Sequence, residues 1–224
     1  MAFGPIMRMT TKEGLAIELA PFTRDDATEA FSKGLQQDSV IRYISLHHKA
    51  QLPETVGKWY DKIIDDSEQI IWGIWAVEGG ERRLIGNSAI MNLEREPLYQ
   101  GVSGIVISDK AYWGRGVASV AHKARTWYVF RQMGLVRIKS AVIEENEASR
   151  RALERMGYTH VYTERNDTFV DGTLRHKDCL ECLNPDDWAW RLWWGDDRPP
   201  VKSVDARRRT REVLEWTEEN VELL

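Results

Sequence analysis

Val102-Ser103-Gly104-Ile105-Val106-Ile107-Ser108, then Asp109-Lys110-Ala111-Tyr112-Trp113-Gly114-Arg115-Gly116, then Val117 onward, is the stretch that decides the fold. The first seven residues, rich in β-branched side chains, read as a strand. The next eight, with two glycines, read as a loop. From Val117 the apolar positions Val117, Val120, Ala121, Ala124, Trp127 and Tyr128 keep helical spacing, and the helix is predicted to end near Met133-Gly134, where glycine suits a left-handed cap. A glycine loop that opens a helix presents amides without intrahelical partners at the positive end of the helix dipole, so Arg115 to Ser119 form a candidate anion cradle. The same Gly-x-Gly also suits a plain tight turn. No Gly-Lys-Ser/Thr is present and no third glycine falls in dinucleotide register, which sets aside the nucleotide P-loop and the dinucleotide fingerprint.

Reading outward, Val136 to Ile143 alternates as a strand should, Glu147 to Met156 reads as a short helix, and Gly157 separates it from a strand over Tyr158 to Tyr162. Gly172 divides that strand from another over His176 to Leu183. Toward the N-terminus, Leu15 to Leu19 is a first strand, and Thr23 with Asp25-Asp26 marks a helix start. Ser45 to Ala50 breaks the helical segment, and Pro53-Glu54 opens a helix with core positions Val56, Trp59, Tyr60 and Ile63. Ile70 to Val77 is an apolar strand, Glu78 to Glu81 a turn, and Arg83 to Met91 the returning strand of a hairpin. The order predicts an α/β (α+β) fold with helices covering a sheet.

A chain of 224 residues accommodates one large domain, or one domain with an appendage. With 42% hydrophobic and 29% charged residues, disordered and low-complexity classes are excluded. Lys and Arg number 31 against 35 Asp and Glu, a net charge of −4 that argues against a nucleic-acid partner bound through its phosphate backbone but leaves room for a local basic site. No signal-peptide core and no long apolar run occur, so the expectation is a cytoplasmic protein with no membrane partner. Cys179 and Cys182 are spaced like a redox or metal pair, yet on a strand side chains three apart point to opposite faces, so no metal is expected there.

The combination of Tyr112 to Ala118 with the helix after it, Gly134-Leu135-Val136-Arg137-Ile138, Glu145-Asn146-Glu147-Ala148-Ser149 and Leu153-Glu154-Arg155-Met156-Gly157-Tyr158 resembles the GNAT superfamily of acyl-CoA-dependent N-acetyltransferases. Within it the chain looks most like the Rim-type, ribosomal-protein alanine acetyltransferase branch. The resemblance covers roughly residues 80–184 closely and extends more loosely from residue 14. It implies a GNAT-like mixed, mostly antiparallel central sheet split at its centre, with acetyl-CoA in the split as cosubstrate and its pyrophosphate on the amides of Arg115, Gly116, Val117, Ala118 and Ser119. Trp113 stands where the superfamily usually has Gln or Arg, a replacement that fits the Rim-type branch.

Thioester aminolysis needs orientation, an oxyanion donor, a route for the amine proton and an acid near sulfur. The amides of Ile105, Val106 and Ile107 are candidates to hold the acyl arm. The resemblance places Asn146 and Ser149 beside the pantetheine arm and sulfur, with Ser149 the candidate donor to the departing thiolate. Asn146 is equally a good helix N-cap, with Ser149 in the first turn. Many relatives carry a Glu on the strand before the loop, where this chain offers Ser103. Glu94 and Glu96 are alternatives by position, and His47 and His48, in the segment that lines the acceptor side in the family, are candidate bases. A water chain is the remaining proton route. The amine acceptor is expected on a peptide N-terminus or a small molecule, and the competing class is a non-catalytic acyl-CoA-binding regulatory protein.

Past Asn184-Pro185 the resemblance stops, and Trp188, Trp190, Trp193, Trp194 and Trp216 are half of the ten tryptophans. Residues 1–184 are therefore read as the acetyltransferase-like domain and 185–224 as a Trp-rich extension. Asp186-Asp187 would start a short helix ended by Gly195, and Ser203 would cap a final helix running to about Val221. Arg207, Arg208, Arg209 and Arg211 near its start and Glu218, Glu219 and Glu222 near its end oppose the helix dipole, so this helix is expected to need a surface, on the domain or on a second copy in a homodimer.

Overall fold

The computed structural model describes residues 2–44 and 51–224. They form two compact units, Met1–Met91 with Gly104–Ala124 and Asn220–Leu224, and Asn92–Ser103 with Arg125–Glu219. The architecture is mixed α/β, with mostly antiparallel strands flanked by helices, as the sequence implies.

The first unit contains strands β1 (Met7–Thr10), β2 (Ala16–Ala20) and β3 (Ile70–Glu78), together with most of β4 (Glu81–Glu94). Its helices are α1 (Arg24–Gly34), α2 (Asp38–Ile41) and α3 (Pro53–Ile63). A terminal strand, β9 (Glu222–Leu223), completes it, and the strands lie antiparallel in the order β4-β3-β2-β1-β9. Thr23 starts α1 through a reciprocal capping box, its hydroxyl taking the Asp26 amide while the Asp26 carboxylate takes the Thr23 amide at 2.8 Å. Pro53 occupies the first turn of α3, where its missing N–H costs nothing. Phe22, Phe31 and Trp59 interlock over the sheet, with the Phe22 and Trp59 rings stacked at 6.1 Å. Strand β1 was not anticipated, because a four-residue Met-Arg-Met-Thr alternation gives too short a pattern. Its buried Met7 pairs with Leu19 on one side and Leu223 on the other.

Strand β5 (Gln100–Ile107) and helix α4 (Val117–Trp127) each run from one unit into the other. The second unit adds β6 (Arg137–Ile143), α5 (Glu147–Arg155), β7 (Thr159–Val170), β8 (Thr173–Leu183), α6 (Asp187–Trp194) and α7 (Val201–Asn220). Its strand order is β7-β8-β6-β5. The β5–β6 pairing is parallel and covers Gln100 to Val102 against Arg137 to Lys139. Ile105 to Ile107 lie beyond the last of these pairs.

Three expectations are corrected. The long helix gives way at Tyr128–Gln132 to a wider π turn, with the Met133 amide reaching back five residues to the Tyr128 carbonyl. Strand β7 continues eight residues past Tyr162, because Asp171-Gly172 turns it tightly into β8. Ser203 is not a cap: α7 begins at Val201, straight after Pro199-Pro200, and the Ser203 amide already bonds the Pro200 carbonyl at 2.9 Å.

Candidate active site

The loop between β5 and α4 follows from its glycines. Gly114 and Gly116 hold φ of +78° and +80°, a region that side chains with a Cβ disfavour, so a Gly-x-Gly pair is required. Val120 is the first residue of α4 whose amide closes a helical bond, onto the Gly116 carbonyl at 3.2 Å. The amides of Val117, Ala118 and Ser119 precede that bond and stand at the positive end of the helix dipole. The side chain of Arg115 is committed elsewhere, pairing with Glu78 at 2.9 Å and lying 5.1 Å from the Tyr112 ring centroid. Arg115 therefore offers its amide, while its charge clamps the loop to the β3–β4 hairpin.

That clamp is double. Glu78 also accepts the Tyr112 hydroxyl at 2.8 Å, and Arg83 pairs with Asp109, whose other oxygen caps the short turn at Lys110–Tyr112. The Arg115 and Tyr112 hydrogen bonds hold the Glu78 carboxyl below its usual range. Burial first, and Glu78 second, push the Tyr112 phenol up. Trp113 is half-exposed and donates its indole N–H to the Ile107 carbonyl at 2.9 Å, fixing the end of β5. On the neighbouring strand a Cβ at Gly86 would meet the Val106 carbonyl oxygen at 2.2 Å, so glycine there permits the close approach of β4 to β5. The residues present fit an anionic, backbone-held ligand: the loop supplies donors and leaves room, since even a Cβ on Gly116 would meet only Thr11, at 3.5 Å.

In the second unit Asn146 caps α5, its side-chain oxygen taking the Ser149 amide at 3.2 Å. Ser149 is half-buried in the first turn, and its hydroxyl has no hydrogen-bond partner among the described residues. Both readings of Asn146 are thus compatible, because the cap uses only its oxygen. Ser103 is buried and accepts the Tyr158 hydroxyl at 3.3 Å. Tyr158 in turn is hydrogen-bonded to the fully buried Arg125; burial pushes the phenol up to about 12 and lowers the guanidinium. Glu94 accepts from Gln100 at 2.6 Å, Gln100 accepts from Arg137, and the Trp193 ring lies against the Arg137 guanidinium at 4.8 Å. Glu96 is exposed and accepts from Tyr99 at 3.3 Å. His47 and His48 lie outside the described residues.

Sequence reasoning missed Glu78 and the Arg125–Tyr158–Ser103 chain. Glu78 is the last residue of β3, a charge where the apolar run ends and nothing marks a partner, whereas Arg125 carries a signal in hindsight, a charge directly after the core position Ala124. Cys182 is buried with its thiol pushed up to about 12 by burial, while Cys179 faces the other way and is half-exposed.

The family model described as an acetyltransferase (GNAT) domain matches residues 16–159. The chain is 29% identical over 128 residues to the Probable N-acetyltransferase YjcK of Bacillus subtilis, covering 57% of this chain and 69% of that protein. Its fold is similar to Mycobacterium smegmatis RimJ in complex with CoA-disulfide, with a TM-score of 0.69 at 18% identity over 85% of this chain and 93% of that one. It is also similar to the spermidine N-acetyltransferase of Vibrio cholerae in complex with CoA and spermine, with a TM-score of 0.66 at 16% identity, 75% of this chain and 95% of that chain.

Proposed function

The chain belongs to the GNAT acetyltransferase family, and from that premise we propose that it moves the acetyl group of acetyl-CoA to a primary amine, on a peptide N-terminus or a small molecule. The observation that carries the cofactor assignment is the clamped Gly-x-Gly loop, which presents the first amides of α4 at the end of β5. We assign the pyrophosphate to the amides of Arg115 to Ser119 and the acyl arm to those of Ile105 to Ile107.

The amine nitrogen attacks the thioester carbonyl, a tetrahedral oxyanion forms, the C–S bond breaks, and CoA leaves as thiolate. The backbone amides orient the carbonyl and hold its developing negative charge. Ser149, whose hydroxyl the α5 cap leaves available, donates a hydrogen bond or proton to the sulfur. Ser103 does not replace the strand carboxylate of relatives, since it is buried and engaged by Tyr158. The amine proton leaves to Glu94, to a histidine of the 47–48 pair, or through water.

Residues 1–184 carry this activity and 185–224 form an extension. Action in the cytoplasm is part of this proposal; among the described residues no helix is long and apolar enough to cross a membrane. The test is acceptor-dependent release of CoA thiol across N-terminal peptides, polyamines, amino acids and aminoglycosides, against controls without acceptor. Release with one class supports the reading and identifies the acceptor; silence from protein that binds acetyl-CoA overturns transfer to these amines.

A further inference from the structure

A cavity of about 270 Å³ opens in the first unit between α1, the β3–β4 hairpin and the residues that follow β5. Its walls include Glu29, Lys33, Trp75, Arg82, Arg83 and Asp109, and none of the residues assigned above to acetyl-CoA or to the thiolate. Most of the charge on these walls is already answered. Arg83 pairs with Asp109 at 2.9 Å, and Arg82 pairs with Glu18 at 2.8 Å while its guanidinium lies 4.4 Å from the Trp75 ring centroid. Asp26, also in the wall, is used by the cap of α1.

Two opposite charges remain. Glu29 and Lys33 are exposed and carry neither a hydrogen bond nor an ion pair among the described residues. They stand four residues apart on one face of α1, which puts their Cβ atoms about 6 Å apart. In that order they could pair across the turn, yet they do not, and both line the cavity. A lone carboxylate and a lone ammonium at a hollow that Trp75 and Arg82 help to line complement a ligand that carries one charge of each sign.

We propose that this cavity binds a free α-amino acid, with its ammonium on Glu29, its carboxylate on Lys33 and its side chain toward Trp75 and Arg82. Simple ions fit less well. A dianion would find one unpaired cation, Lys33, beside the unpaired Glu29 carboxylate, and a polyamine would find one unpaired carboxylate beside the Lys33 ammonium. A zwitterion meets an opposite charge at both ends. The volume holds one amino acid with a few ordered waters, each occupying about 30 Å³ of liquid.

The experiment is isothermal titration of the full chain, without acetyl-CoA, against the twenty standard amino acids and the methyl ester and N-acetyl form of any that binds. At least one amino acid is expected to bind with a Kd below about 1 mM. Blocking either of its charges, or making Lys33→Met or Glu29→Gln, is expected to weaken binding roughly tenfold or more. Both positions are exposed, so the variants fold, and Lys12→Met, in the turn between β1 and β2, should bind as wild type does. The proposal is overturned if no amino acid binds with a Kd below about 1 mM, or if either a blocked ligand or one of the two variants keeps the full affinity. Because the readout involves neither acetyl-CoA nor turnover, its failure would leave the acetyl-transfer reading standing, and the reverse also holds.

Discussion

Gly116→Asp is the sharpest test of the cofactor loop, because its effect separates charge from shape. Gly116 holds φ of +80°, where a side chain costs about 1–2 kcal/mol. A Cβ there meets Thr11 at 3.5 Å, an ordinary contact, so the loop has room to keep its path. Gly116→Ala therefore loses stability but keeps the amides in place, and since the strain is common to free and bound protein, CoA affinity should change by about threefold or less. Asp adds a negative charge close to the pyrophosphate. At about 4 Å one pair of unit charges repels by roughly 1 kcal/mol in water and 4 kcal/mol at an effective dielectric of 20, so a surface loop facing two phosphate charges should lose about 2–4 kcal/mol, or roughly thirty- to a thousandfold in Kd. The assay is CoA titration beside a thermal melt of both variants. A folded Gly116→Asp protein with CoA affinity within about threefold of wild type would refute the loop assignment. Equal losses from Ala and Asp would show that loop shape, rather than anion contact, was lost.

Ser149→Ala should lower kcat roughly ten- to a hundredfold while the CoA Kd stays the same, and an unchanged kcat would remove the hydroxyl from thiolate departure. Gly157→Ala should lower Tm by roughly 5–15 °C, from about 2–4 kcal/mol of left-handed strain and overpacking, since its Cβ would fall 2.0 Å from the Thr210 hydroxyl and 2.7 Å from the Ala206 carbonyl. A shift under about 2 °C would mean that α7 gives way without cost. Glu78 is held below its usual range by Arg115 and Tyr112, so the stability it contributes is complete above the ordinary carboxylate pKa and is lost as pH falls through the lowered folded value. Melts from pH 7 to pH 3 should show wild type losing this increment while Glu78→Gln lacks it throughout, and parallel curves would disprove the clamp.

How much of this was readable follows from which signals are local. Glycine positions, capping residues and apolar periods are local, and they placed β3 to β6, α3, α5 and the start of α1 within a few residues. The Gly-x-Gly loop was legible for the same reason, since its backbone conformation is a property of two residues. Partners distant in sequence were not legible. Nothing near Glu78 announces Arg115, thirty-seven residues on, and nothing near Ser103 announces Tyr158, fifty-five residues on. Such pairs are created by strand register, which residue patterns specify only after the sheet is assembled. The π turn at Tyr128–Gln132 was hidden because a single widened turn barely alters helical spacing.

The extension shows a local rule yielding to the surroundings that it finds. Glutamates in the last turn of α7 should each cost about 0.3–1 kcal/mol against the helix dipole if left bare, whereas the arginines, because the helix starts at Val201, stand in its second and third turns, past the reach of that dipole. Neither set is bare. Arg207 bonds the Pro185 carbonyl and Asp187 and lies over the Trp190 ring, Arg211 reaches the same carbonyl and carboxylate, and Arg208 pairs with Glu212 one turn on. At the other end Glu218 meets Arg131, which also holds Asp186. The face of α7 carrying Ala206, Thr210, Val213, Leu214 and Thr217 is buried, and Thr210 bonds the Met156 carbonyl against Gly157. The surface this helix was expected to need is thus supplied within the second unit, where the aromatic and acidic residues before α7 engage its arginines. Removing residues 185–224 would strip cover from Gly157 and Cys182 and take away the strand that pairs with β1, so truncation after Asn184 should lower stability before it alters acceptor choice. A truncated protein that melts like the full chain would show that these contacts contribute nothing and that the extension serves another purpose.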